Sequence, residues 1–221
     1  LARKPKDAVR DHLEALHVST MVTEWFRKER EPNVLNVTAE NVIAALNRVG
    51  IRPVLMGTYG LNGYRSEARA TQDVDVLVTK REGRKAVRVL EEAFPYLEVH
   101  DLPVVTRFVN PVSQKVVLDV MKPNQRSVQI VFWNTVRIGE THRIPTLEMV
   151  LVLKFLAMKG PRRDAAKKLL DAADFTDVVT HNRRQLDLEK LKRLADKANP
   201  GSAAAILQLI TEIDAGRIIQ P

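Results

Sequence analysis

The chain reads as an α+β protein, a mixed-sheet core followed by a C-terminal helical bundle. Three observations predict this. Short β-branched runs alternate with helix-period segments through the first part of the chain, and strand signals give way to helices from Thr146 onward. With 45% apolar residues over 221 positions, the chain also has enough material for a substantial core. The expected division is a core with N-terminal helices over 1–145 and a helical domain over 146–221.

The elements follow in order. Val9, Leu13 and Leu16, then Met21, Val22, Trp25 and Phe26, predict one long or broken amphipathic helix over Asp7 to Arg27, ended by Glu31-Pro32-Asn33. Thr38 is placed as the N-cap of a helix running to Asn47, with Gly50 as its stop. Strands are predicted at Pro53 to Met56 and Asp73 to Thr79, and a helix at Gly83 to Phe94. Leu97 to His100, Val104 to Val109 and Lys115 to Met121 are three further strands. The last two fit a hairpin across Asn110-Pro111-Val112-Ser113. Val128, Val131, Phe132 and Val136 favour a helix over Ser127 to Ile138, followed by a short strand at Arg143-Ile144. Helices are then expected at Thr146 to Met158, Asp164 to Thr180, Asp187 to Ala198 and Ser202 to Ala215, punctuated by Gly160-Pro161, Asn199-Pro200-Gly201 and Gly216. No internal repeat or low-complexity tract interrupts them.

Composition narrows the chemistry. Cysteine is absent, which excludes disulfides, thiolate nucleophiles and sulfur-ligated zinc. The five histidines show neither H-x-x-x-H nor H-E-x-x-H spacing, so zinc hydrolysis finds no support, and no G-x-S-x-G marks a serine nucleophile. No apolar run is long enough for a membrane span, and LARKPKDAVRDHL lacks the hydrophobic stretch of a secretory signal. A soluble cytoplasmic protein is the expectation. The net charge of +8 favours a polyanionic partner, nucleotide or nucleic acid, against the plainer reading of a solvated basic surface. Its clusters are Arg27 to Arg30, Lys80 to Lys85, Arg162 to Lys168 and Arg183 to Arg184. Trp25, Phe132 and Trp133 are expected in the core.

The most informative segment is MGTYGLNGYRSEARATQDVDVLVT, Met56 to Thr79. Side chains two apart on a strand share a face, so Asp73 and Asp75 present paired carboxylates while Val74, Val76 and Val78 face the other way. The pair is either a divalent-metal site or two strand-end acids that cap turns or meet arginines. Asp187-Leu188-Glu189 has the same spacing at a predicted helix start, where it compensates the helix dipole. Asp119, the one acid in the apolar run Lys115 to Met121, is either a third carboxylate at the same site or a salt-bridged sheet-end residue. Gly57, Gly60 and Gly63 form either an anion-cradling turn or a turn without ligand. Neither the Walker ending nor G-x-G-x-x-G is present. Arg65 and Arg69 stand as phosphate partners, although Arg69 equally serves to neutralise the acids.

Taken in order, GTYG, RATQDVDVLV and VVLDVM resemble the DNA polymerase β-type nucleotidyltransferase superfamily. Its motif is a hydrophobic residue and Gly-Gly or Gly-Ser, then D-h-D after roughly ten to sixteen residues, with a third carboxylate on a later strand. The subgroup it most resembles is the small bacterial nucleotidyltransferases that include the AbiEii-type toxins. There R-x-T-x-D-h-D is typical, and Arg69 to Asp75 matches each position. A helical lysine and a later D-x-x-D find counterparts in Lys154 and in Asp171 and Asp174. The resemblance spans Pro53 to Asp177. Thr58 departs from it where Gly or Ser is usual, and the N-terminal helix and last two helices lie outside it. By their residues alone, Lys154 either faces a pocket or snorkels to solvent, and Asp171 and Asp174 either serve the site or pair with Lys167, Lys168 or Arg163 at the surface.

The resemblance implies a nucleotidyltransferase using Mg²⁺ (or Mn²⁺). Asp73, Asp75 and Asp119 would be the metal ligands and catalytic acids, joined by Lys154. Gly57, Thr58, Arg65, Arg69, Asp171 and Asp174 would form the nucleotide site. The donor is an NTP, with ATP, GTP, CTP and UTP left open. The acceptor hydroxyl is expected on RNA (tRNA) or protein, with a toxin–antitoxin role and an antitoxin protein as partner. The alternatives are a catalytically silent nucleotide- or RNA-binding module, an antibiotic nucleotidyltransferase, and a metal-dependent phosphohydrolase.

Overall fold

The computed structural model describes residues 5–161 and 163–219. Arg162, which opens one of the basic clusters, and the stretch before Pro5 lie outside the described residues. Helix α1 (Pro5–Arg30) leads, by a short 3₁₀ turn, into α2 (Ala39–Arg48), whose N-cap Thr38 accepts the Asn41 N–H. Strand β1 (Val54–Leu55) runs into the short helix α3 (Gly57–Leu61) and a 3₁₀ turn at Asn62–Tyr64. Then come β2 (Val74–Leu77), α4 (Gly83–Ala93), β3 (Glu98–Asp101), β4 (Val105–Val109) and β5 (Val116–Met121).

The expected helix over Ser127 to Ile138 is a correction. Helix α5 (Arg126–Gln129) passes into a 3₁₀ turn and stops at Asn134, after which β6 (Thr135–Ile138) pairs antiparallel with β7 (His142–Pro145). Thr135 and Val136 favour extended backbone, and Gly139, at φ +55°, turns the chain back. The four remaining helices form where expected: α6 (Leu147–Lys159), α7 (Ala165–Asn182), α8 (Leu188–Ala198) and α9 (Ser202–Asp214).

The seven strands make one mixed sheet in the order β3-β4-β5-β2-β1-β7-β6. Strands β2 and β5 run parallel at its centre, flanked by antiparallel partners, and β1 runs parallel to β7. The fold is therefore mixed α/β, with β4 and β5 joined as the expected hairpin. A single apolar cluster extends from Val76 and Leu118 in the sheet to Phe155, Phe175, Leu191 and Ile206 in the helices. Helix α6 is the link, because most of its circumference is apolar and buried. Among the described residues, no helix is long and apolar enough to cross a membrane.

Helix α1 departs in part from its expected orientation: Leu16 is buried and Val9 packs against the core as its periodicity predicts, but the rest of its apolar side does not. Its apolar residues Leu13, Met21, Val22, Trp25 and Phe26 face outward, whereas His12, Ser19, Thr20, Thr23 and Arg27 are buried. Hydrogen bonding decides this orientation. Ser19 Oγ donates to the Arg69 carbonyl at 3.0 Å, Thr23 Oγ1 to that of Thr71 at 2.9 Å, and Arg27 Nη2 to that of Gln72 at 2.5 Å. One side chain per turn thus satisfies the backbone just ahead of β2. Arg27 is consequently structural rather than part of a basic surface. Trp133, expected in the core, is also exposed, while its neighbour Phe132 packs inward.

Candidate active site

The adjacency of β2 and β5 determines where the acids stand. In their parallel register Asp75 lies opposite Asp119, on the sheet face away from buried Val74 and Val76. Asp73 is two residues upstream of Asp75 and accepts a hydrogen bond from Thr71 Oγ1 at 2.8 Å. Burial, then the charges of Asp73 and Asp119, push the Asp75 carboxyl up to about 8. Lys154 and Arg163 oppose the shift, which places two cations within electrostatic reach of Asp75. Asp119 is pushed up to about 6, first by burial and further by Asp73, with the Arg107 guanidinium pulling the other way.

These carboxylates are short of positive charge. Asp119 meets Arg107 Nε through Oδ2 at a long 3.4 Å, and its buried Oδ1 has no hydrogen-bond partner. Among the described residues, no three His, Cys, Asp or Glu side chains are gathered closely enough to make a finished metal cage. A Mg²⁺ site needs less, since that ion keeps several waters and accepts substrate phosphates alongside one or two carboxylates. Asp73, Asp75 and Asp119 fit such a site by donor type, and the unpartnered, buried Asp119 Oδ1 is open to a cation.

The glycines behave differently from one another. Gly57 takes φ +54°, and a Cβ there would stand 1.9 Å from Asp75 Oδ2. Only glycine admits the carboxylate to that position. A Cβ on Gly60 would stand 2.5 Å from the Leu55 carbonyl, and one on Gly63 2.8 Å from His12 Cα. The expected glycine-rich turn is in fact α3 with its following 3₁₀ turn, and Gly60 and Gly63 are packing positions within it. Thr58 is buried.

Lys154, Arg163 and Asp171 line a cleft of about 510 Å³ together with Gly57 and Asp75. Met56, Leu61, Met121, Val128, Val150, Leu153 and Leu156 supply apolar wall, and Gln125 and Ser127 supply polar groups. Lys154 does not snorkel outward. Its Nζ donates to Asp171 Oδ1 at 2.8 Å and to Asp174 Oδ2 at 2.7 Å. Both aspartates are buried.

The two buried acids hold more than the lysine. Asp171 Oδ2 accepts from Arg163 Nε at 2.9 Å, Asp174 Oδ2 from Arg69 Nη2 at 3.1 Å, and Asp174 Oδ1 from Arg65. Burial alone would raise the Asp174 carboxyl, but Lys154, Arg69 and Arg65 hold it below the usual carboxylate range. Arg65 also meets Asp177, which accepts from Ser66 Oγ at 2.6 Å. Of the predicted site residues, Gly57, Asp75, Lys154 and Asp171 line the cleft, and Asp73 and Asp119 adjoin Asp75. Arg65, Arg69 and Asp174 lie behind Lys154 in the ion network. Arg163, Met121, Gln125 and Ser127 line the cleft without being predicted by the sequence: Met121 ends β5, Gln125 and Ser127 open α5, and nothing in their local sequence marks a cleft wall.

No protein-family model matches the chain. No curated protein matches it either. Among solved structures, the chain is similar to ANT(2")-Ia in complex with adenylyl-2"-tobramycin. That likeness has 14% identity and a TM-score of 0.47, over 76% of this chain and 94% of that one. It is also similar to terminal uridylyl transferase 4 from Trypanosoma brucei with bound GTP, at 13% identity and a TM-score of 0.35, over 90% of this chain and 72% of that one.

Proposed function

We propose that the protein is a divalent-metal-dependent nucleotidyltransferase, moving a nucleoside monophosphate from an NTP to an acceptor hydroxyl with release of pyrophosphate. One observation carries the reading: Asp75, beside Gly57 and Asp119, lines one cleft of nucleotide size together with Lys154 and Arg163, whose charges reach it. An acid suited to a metal ion and cations suited to phosphate thus share one cleft.

In this reading Asp73 and Asp75 hold Mg²⁺ (or Mn²⁺), and Asp119 completes the site. The metal supplies charge neutralisation on the triphosphate and a template for in-line displacement. Asp119, opposite Asp75 on the neighbouring strand, is placed to receive the acceptor proton. The missing side chain at Gly57 leaves room for the Asp75 carboxylate at the cleft, and Thr58 beside it is buried. Lys154 and Arg163 stabilise charge developing on the phosphates. Asp171 and Asp174 then act on the nucleotide through Lys154, Arg163, Arg65 and Arg69 rather than by touching it. The apolar wall, with Gln125 and Ser127, receives the base or the acceptor.

The AbiEii-like arrangement of Arg69, Thr71, Asp73 and Asp75 supports an RNA or protein acceptor, a toxin role and an antitoxin partner. The +8 charge favours RNA among acceptors. The test is incubation with each α-labelled NTP, Mg²⁺ and, separately, total tRNA, a protein lysate or an aminoglycoside. Label on one acceptor with matching pyrophosphate supports transfer and names the acceptor. Nucleotide binding without pyrophosphate indicates the silent module, and free mono- or diphosphate without labelled acceptor indicates a phosphohydrolase.

A further inference from the structure

Helix α1 carries its polar residues inward and leaves an apolar stripe in solvent. Val18, Met21, Val22, Trp25 and Phe26 all lie on the outer side, with Trp25 61% exposed and Met21 56% exposed. Asp11, Glu14, Val18, Met21, Trp25 and Lys28 follow one another at alternating three- and four-residue steps, the spacing of a coiled-coil seam. Beside it Met21, Glu24, Trp25, Lys28 and Leu35 line a shallow hollow of about 410 Å³.

We propose that this face binds a second copy of the chain, α1 against α1, antiparallel and related by a twofold axis near Val18 and Met21. The charges argue for the partner and for its direction. With Val18 opposite the other copy's Met21, Arg10 falls opposite the other copy's Glu29, and Glu14, 71% exposed, falls at the turn holding the other copy's Trp25 and Lys28. Twofold symmetry makes each pairing occur twice. Asp11 belongs to its own copy: its side chain is 24% exposed and meets Arg10 at 3.3 Å, with Glu14 3.9 Å from the same guanidinium. A parallel arrangement would set Glu14 and Lys28 each against its own likeness. The stripe is about 26 Å long, and two such helices bury on the order of 600 Å² per copy, the lower edge of specific interfaces. Because Ser19, Thr23 and Arg27 on the same helix grip residues 69–72, each copy would brace the other's acid-bearing strand.

The experiment is sedimentation or light scattering of the full chain from about 1 to 100 µM, which does not depend on any activity. Wild type is expected to pass from monomer to dimer, and Met21→Glu/Trp25→Glu to remain monomeric with an unchanged melting temperature. Lys28→Glu should weaken the dimer about tenfold, and Glu14→Lys added to it should restore the dimer. A wild-type monomer throughout, a dimer that survives Met21→Glu/Trp25→Glu, or no rescue by the charge exchange would each overturn the proposal. Loss of nucleotidyl transfer with the dimer intact would instead count against the proposed function alone.

Discussion

Asp75 is the residue on which the site turns, because the fold places it where its own charge is least welcome. Its carboxyl, pushed up to about 8, binds a proton in the folded state that the unfolded chain loses near the ordinary value of 3.8. Between those limits the native state holds more protons, so without metal Asp75 makes stability fall as pH rises. Asp75→Asn is therefore expected to raise the melting temperature at pH 8 while abolishing transfer. A lower melting temperature for that variant would contradict this electrostatic account. Bound Mg²⁺ should reverse the trend: affinity rises from pH 6 to 8 with net proton release, measurable by calorimetry in two buffers of different ionisation enthalpy. Gly57→Ala has a steric consequence, since its Cβ would stand 1.9 Å from Asp75 Oδ2. Loss of activity of at least about a hundredfold is expected in a steady-state assay.

At the scale of elements, α1 is the part the sequence conveys least well. Its periodicity marks a helix, but an apolar stripe alone does not say which side faces the core. The Ser19, Thr23 and Arg27 series decides that through carbonyls about fifty residues away in sequence. Replacing Thr23 by Val removes the donor and keeps the shape. It should cost about 1 kcal/mol in denaturant unfolding and raise the Mg²⁺ concentration needed for half-maximal transfer, because the backbone ahead of Asp73 loses its restraint. An unchanged Mg²⁺ requirement would separate α1 from the site. The break at Asn134 escapes sequence reading for a related reason. Val128, Val131 and Phe132 satisfy helical spacing, but Thr135 and Val136 gain more from pairing with Ile144 and Pro145 across the sheet. Strands β2 and β5 are legible because single acids stand out in β-branched runs. Their adjacency, which brings Asp75 and Asp119 together, appears only in the assembled sheet.

Across the whole molecule, the sheet and the C-terminal helices meet on a shared apolar core and on one buried ion network. The change of character at Thr146 is visible in sequence, and so are Lys154, Asp171 and Asp174 in order. What spacing could not convey is that Arg65 and Arg69, from the segment before β2, reach Asp174 on α7. Asp174 has three cationic partners and is buried. Its replacement by Ala leaves Lys154 with Asp171 and Arg65 with Asp177 but takes the carboxylate from Arg69, at about 3 kcal/mol in global unfolding. The linkage has the opposite sign from that of Asp75: with its pKa depressed, Asp174 stabilises the fold at neutral pH and loses that contribution as pH falls through its folded value. The most direct test of the central claim is pyrophosphate release from labelled NTP with Mg²⁺ and the identified acceptor, for wild type beside Asp73→Asn. The account predicts one pyrophosphate per transferred nucleotide for wild type and none for the folded variant. Equal release from both would contradict it.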